Sequence, residues 1–512
     1  MKHRTKTGLT LGAVAASAAL CGSVIVAGSA QAAPVTDTQA LRDAVTVGGV
    51  MEHLTAFQSI ADANGGNRAA GTAGHEASLA YVQGLLDTAG YDTWTQEFTY
   101  ERTDFTGTSL SQTAPGAVPY TLGVDYFPMD FTGGANVEAA VTAVDVNLSG
   151  DRASTSGCEA GDFAGFTPGN IALIQRGSCD FAVKAQNALD AGAVGVIVFN
   201  QGNDVPGDDR FGLFGGTLGS IIDPSLPVVS APFDLGAEWV NTPGLRLNLS
   251  VQIDIVEVTT ENLLADTTSG RTDRTVVVGG HLDSVAEGPG INDNGSGTAA
   301  ILETALQMAE LGIDPENRVR FAFWSGEEDG LIGSSHYVEQ LSAREIKEHA
   351  LNLNFDMIGS PNSVNFVYDG DGDAFGAAGP NGSALIEGVF TDFFASQGQS
   401  SDPTEFDGRS DYFGFIEAGI PAGGLFTGAE GIKSVEQAAR YGGTAGIAYD
   451  PCYHAACDGI ANVSAGALDI MSDAVAHSTL TFAETESAVN GTGKGKAKGQ
   501  FDPQFKGSNA VK

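Results

Sequence analysis

The segment GGHLDSVAEGPGINDNGSG, residues 279–297, sets His281, Asp283 and Asp293 among glycines directly after the apolar run TVVV. Imidazole nitrogens and carboxylate oxygens are metal donors, and glycines add little packing surface of their own. Three further segments carry the same kinds of group. FAFWSGEEDG holds Glu327 and Glu328, LNFDMIGS holds Asp356, and the late Gly-rich DPCYHAACDG holds His454 beside Tyr453. Taken singly these are weak signals: a lone loop histidine is commonplace, and paired glutamates suit a solvated helix start. Taken together they are five acids and two histidines. Five carboxylates in one crevice repel unless cations hold them, and two divalent ions sharing one carboxylate are the simplest solution. A mixed nitrogen and oxygen donor set suits zinc better than calcium or magnesium.

Such residues converge only if the elements before them do. TVVVGG (275–280), RVRFAFWS (318–325), ALNLNFDMIG (350–359) and AGIPAGGLF (418–426) are apolar runs of buried-strand length, and TAAILETALQMAELG (298–312) is amphipathic and stops at a glycine. This alternation predicts an α/β domain around a mixed, largely buried sheet flanked by helices, with ligands gathering beyond the strands' carboxyl ends. Helical patterns over 49–63 and 75–90 and the strand-like DTWTQEFTY precede a change of texture near 107, which reverts near 256. A change out and back predicts an inserted domain at 107–256, dividing the catalytic part into 33–106 and 257–484.

Composition bounds the setting. The first residues read as a signal peptide, 1–32: Lys2, Arg4 and Lys6, an apolar stretch broken by Gly and Ser, then SAQA before APVTD. Export agrees with Cys158, Cys179, Cys452 and Cys457, whose local spacings suggest the disulfides Cys158–Cys179 and Cys452–Cys457, although three pairings are open. The net charge of -38 repels phosphate backbones, so nucleic acid is not an expected partner. No later stretch is long and apolar enough to span a bilayer, so no membrane partner is expected. Residues 485–512 are Gly- and Lys-rich and read as a disordered tail.

In order, GGHLDSVAEGPGINDNGSGTAA, FAFWSGEEDGLIGS, LNFDMIGSPN, GRSDY, GGLFTG and DPCYHAACD closely resemble the secreted actinobacterial aminopeptidases of the M28 family, which use two zinc ions. The resemblance extends from HLTAFQSIADANGGNRAAG to ALDIMSDAVAHS, while RGSCDFAVKAQNALDAGAVGVIV resembles the core of a protease-associated domain. It implies His281 and Asp356 on one zinc, Glu328 and His454 on the other, and Asp293 bridging, with a cis peptide bond to Asn294. It implies Glu327 as general base, Tyr453 as the group that polarises the oxyanion, and Asp283 as orienter of His281. Arg409 and Phe426 match the substrate pocket, and Asp469 and Asp473 resemble a calcium site of relatives, with Asp43 not clearly in register. The loop YDGDGDAFG lacks the closing glutamate of an EF-hand and is discounted. The implied protein is an exported monomeric dizinc aminopeptidase that takes peptides with a free, apolar N-terminal residue such as Leu, Met or Phe. The alternatives are a metallo-carboxypeptidase on the same scaffold and a receptor-like binding protein without catalysis. An intact ligand set with a general base argues against the second.

Overall fold

The computed structural model describes residues 36–203 and 210–485, so the signal-like segment and nearly all of the Lys-rich tail lie outside it. The catalytic part is a mixed sheet. Its strands are β1 (Asp92–Ala114), β2 (Arg246–Asp266), β3 (Arg271–His281), β4 (Asn317–Trp324), β5 (His349–Phe355), β6 (Phe366–Tyr368), β7 (Asp402–Thr404) and β8 (Ala422–Phe426). They lie in the order β7-β6-β8-β5-β3-β4-β2, with β1 beside β2. The central strands β4, β3, β5 and β8 are parallel and covered on both faces, as parallel strands usually are; β6 and β2 run antiparallel at the flanks.

Alternation along β3 shows why the strand is apolar throughout. Val276 and Val278 enter the main core, whereas Val277 faces a second cluster with Trp324, Tyr337 and Phe415. The main core is completed by helices α1 (Val47–Ala63), α2 (Ala73–Ala89), α3 (Gly297–Glu310), α4 (Ser383–Ser396) and α5 (Ala465–Ala483). Thr46 and Thr72 cap α1 and α2 with their side chains, and Gly90 ends α2 at φ 91, a left-handed turn that glycine adopts without cost.

The insert follows the predicted strand, turn, helix, strand pattern as Ile171–Gln175, Phe181–Asp190 and Gly195–Phe199, and holds the disulfide Cys158–Cys179 at 2.07 Å, while Cys452–Cys457 forms at 2.09 Å in the catalytic part. Its borders differ from the change in texture. β1 runs on to Ala114 and β2 begins at Arg246, pairing continuously from Asp92↔Asp266 to Ala114↔Arg246 with bulges near Phe105 and Gln112. Texture changes where the ribbon is least buried, near Phe105 and residues 252–257, before Leu110, Leu247, Leu249 and Val251 enter the insert's core; hydrogen bonding between the two strands does not stop there.

Candidate metal centre and active site

Each donor arrives on a different element, at or just beyond a strand end. His281 closes β3, Asp356 follows β5, Glu327 and Glu328 follow β4, and His454 lies in the loop closed by Cys452–Cys457. Asp293 comes from the segment Ile291–Ser296 that leads into α3, and the Asp293–Asn294 peptide is cis. Asp293 faces both ways. Its Oδ1 is 3.3 Å from His281 Nε2, which is also 3.3 Å from Asp356 Oδ1. Its Oδ2 is 3.2 Å from His454 Nε2, which is 3.1 Å from Glu328 Oε2. Glu327 Oε2 stands further off, 3.8 Å from His281 Nε2. Two donors about 2.0–2.1 Å from one tetrahedral ion are about 3.3 Å apart, so these spacings are those of shared ligands.

The electrostatics say the same. His281 Nε2, His454 Nε2 and Asp356 Oδ1 are buried and make no hydrogen bond. Burial opposes protonation of both histidines, but Glu327, Asp356, Glu328 and Asp293 outweigh it and raise their pKa values well above the ordinary one. Burial also pushes Glu328 up to about 7, helped by Asp293, and pushes Glu327 well above the carboxylate range. The pocket calls for positive charge, and divalent cations on these donors would supply it.

A comparison with known sequences decides the family. The chain is 52% identical over 431 residues, 84% of its own length and 80% of the other's, to an aminopeptidase of Pseudomonas aeruginosa. The chain belongs to peptidase family M28. The model of that family matches residues 262–479, and that of the PA domain matches 138–239. A leucine aminopeptidase 2 of Trichophyton tonsurans is 38% identical over 88% of this chain and 87% of its own. A probable lipoprotein aminopeptidase of Mycobacterium tuberculosis is 41% identical over 88% of both. In fold, an aminopeptidase from Aneurinibacillus sp. strain AM-1 matches at TM-score 0.69, 23% identity and 88% and 97% coverage. This M28 chain is thus a zinc-dependent metallo-aminopeptidase with an inserted PA domain.

The other singled-out residues fall as follows in the M28 site. Asp283 does hold His281, but through its carbonyl, 3.1 Å from Nδ1; its carboxylate is 3.7 Å away and accepts the Glu327 and Glu328 N–H groups at 3.4 Å. Tyr453 stacks on His454 with centroids 3.8 Å apart, and its hydroxyl accepts from Arg409 at 3.2 Å. Phe426 lines the pocket with Met357, Tyr368 and Ala429. Asp473 pairs with Arg42 at 3.5 Å, and both Asp469 and Asp43 act on it electrostatically. Asp369 and Asp371 of the YDGDGDAFG loop meet Glu387 of α4, but loop N–H groups occupy Asp369 and Glu387.

Sequence reasoning passed over several groups. Ser410 donates to Asp356 Oδ2 at 2.6 Å, and its neighbour Asp411 is fully buried and raised to about 7 by that burial. Both lay in the quoted GRSDY, where only the arginine drew a role. Glu405 and Asp407 line the side-chain pocket, although sequence reasoning had no acid there; Asp407 Oδ1 already accepts from Tyr412 at 2.9 Å.

Proposed function

We propose that this M28 peptidase holds two zinc ions, acts outside the cell, and removes apolar residues from peptide N-termini. The observation that carries the count of two is Asp293: one oxygen joins the His281–Asp356 pair and the other joins the His454–Glu328 pair. Zinc bound there would polarise the scissile carbonyl and lower the pKa of the attacking water. The protein's own groups do the rest. Glu327, buried with its Oε2 3.8 Å from His281 Nε2, acts as a carboxylate that takes the water's proton and, once protonated, gives it to the leaving amine. The Tyr453 hydroxyl, whose pKa burial raises well above the usual value, stays protonated and donates to the developing oxyanion.

Met357, Tyr368, Phe426 and Ala429 offer an apolar wall for the first side chain. Action outside the cell rests on the signal-like N-terminus and two disulfides; among the described residues no helix is long and apolar enough to cross a membrane. Calcium at Asp469 and Asp473 belongs to this reading, with Asp43 as a third acid and Arg42 as the competing cation. The insert shapes access and takes no part in the chemistry, because every donor of the centre comes from outside it. A folded variant trimmed of the insert should keep its rate on leucyl amides; loss of that rate would give the insert a catalytic role.

Zinc titration into chelator-treated protein, read by activity on aminoacyl amides, tests the main proposal. Activity should saturate at two equivalents and favour Leu, Met and Phe. Saturation at one equivalent would end the shared-carboxylate model. A lysyl amide cleaved as fast as a leucyl one would overturn the apolar preference and point to Glu405 and Asp407.

A further inference from the structure

We infer that Arg68, far from the donors in sequence, is a positioning residue that fastens the loop between His281 and Asp293 and so sets how tightly zinc is held. The inference rests on the two-zinc reading of that site. Arg68 follows the glycine turn after α1 and is fully buried. Among the described residues its guanidinium donates only to main-chain oxygens of one loop. Nε reaches the Pro289 carbonyl at 2.9 Å, one terminal nitrogen reaches Gly290 at 2.6 Å, and the other reaches Leu282. Its backbone N–H donates to Ser284 Oγ at 2.9 Å.

These contacts span the loop from one end to the other. Leu282 is the residue after His281, and Gly290 stands three residues before Asp293. Gly290 has φ +61, and a Cβ there would lie 2.4 Å from the Asp293 carbonyl oxygen and from Ser284 Cβ, so the turn is closed tightly. The Gly290 carbonyl also accepts Gly295 N–H at 3.0 Å. Arg68 therefore joins the two ligand-bearing ends of the loop at a single planar fork. The Asp293 segment is also held by the Asp458 carboxylate, which accepts the Asn292 and Asp293 N–H groups, both at 3.0 Å. A buried cation and a buried carboxylate thus both hold it.

The charge has a second effect. Burial lowers the Arg68 pKa to about 10, with Asp283, Asp458, Asp293 and Glu328 opposing the drop, so it stays protonated at neutral pH. A fixed cation beside the donor set offsets the repulsion of the carboxylates before metal arrives, and it keeps the loop in its ligand-ready form. Lysine would keep the charge and lose the fork, since an ammonium group cannot serve three carbonyls in one plane. Glutamine would lose both.

The test is zinc release to a competing chelator from the full zinc-loaded chain, alongside thermal unfolding of the metal-free chain. Residues that orient metal ligands typically affect affinity about 10–100-fold. Arg68→Lys should therefore release zinc about 10-fold faster than wild type and Arg68→Gln about 100-fold faster. Arg320→Lys provides the contrast, because Arg320 makes a part-buried ion pair with Asp266 at 2.7 Å on β2. It should lower the Tm and leave zinc release unchanged. Zinc release from Arg68→Lys within twofold of wild type would overturn the inference, as would a Tm loss without faster release. If the Arg68 variants do not fold, Ser284→Ala, which removes the Oγ that accepts the Arg68 N–H, should speed release several-fold; an unchanged rate there would also overturn it. A wild-type chain that retained no zinc would instead overturn the two-zinc reading.

Discussion

Glu327→Ala should retain both zinc ions and lose about 10³–10⁴-fold in kcat, while Glu328→Ala should lose metal along with activity. The two side chains are neighbours in sequence, and both come close enough to His281 to join a donor cluster. Distance separates them. Glu328 Oε2 is 3.1 Å from His454 Nε2, the spacing of two ligands on one ion, whereas Glu327 Oε2 stands 3.8 Å from His281 Nε2 and lines the pocket. A base must reach the substrate's water and keep a pKa high enough to accept its proton. Burial and the carboxylates of Asp356 and Glu328 raise Glu327 in that direction, against the pull of His281. Zinc analysis by mass spectrometry, paired with kinetics on a leucyl amide, separates the roles. If Glu327→Ala lost zinc and Glu328→Ala kept it, the assignments would be exchanged.

Acetylating the N-terminus of a peptide substrate should abolish cleavage, whereas amidating its C-terminus should leave the rate within a few-fold. A guest carboxylate needs a cation to meet it, and a guest ammonium needs carboxylates. Arg409 is the cation lining the pocket, and it is already engaged: it donates to Glu430 at 2.8 Å and to Tyr453 at 3.2 Å. Glu327, Asp356, Glu405 and Asp407 line the same pocket, so its field attracts an amine. Mass-spectrometric product analysis of the matched pair reads the result. Cleavage that survived acetylation and stopped on amidation would establish a carboxypeptidase.

The donors were legible because each lies in a short motif behind an apolar run, where strand length and glycine content point to the same place. His53, His75, His336, His349 and His477 lacked such a setting, and none belongs to a donor cluster among the described residues. Arg68 was illegible for a physical reason. Its partners are carbonyls, which every residue carries, and they lie more than 200 residues away in sequence. The reach of β1 was hidden similarly, since TGTSLSQTA lacks the apolar alternation of a half-buried strand and is held by pairing with β2. Asp283 shows a finer limit. The resemblance implied that it orients His281 without saying through which atom, and it is the carbonyl that the loop turns to the ring.

The unbroken pairing of β1 with β2 has a consequence for how such a chain can change over evolutionary time. Thr103 and Ile255 face each other across the ribbon, although 151 residues separate them. A chain cut at that rung could be rejoined by a tight two-residue turn without moving β3, β4 or any donor. Gain, loss or exchange of the insert would therefore change the chain at one hairpin tip and uncover Ile332, which packs on the insert's core. The ribbon works as a socket, and the module it carries can be replaced while the hydrolytic machinery behind it stays as it is.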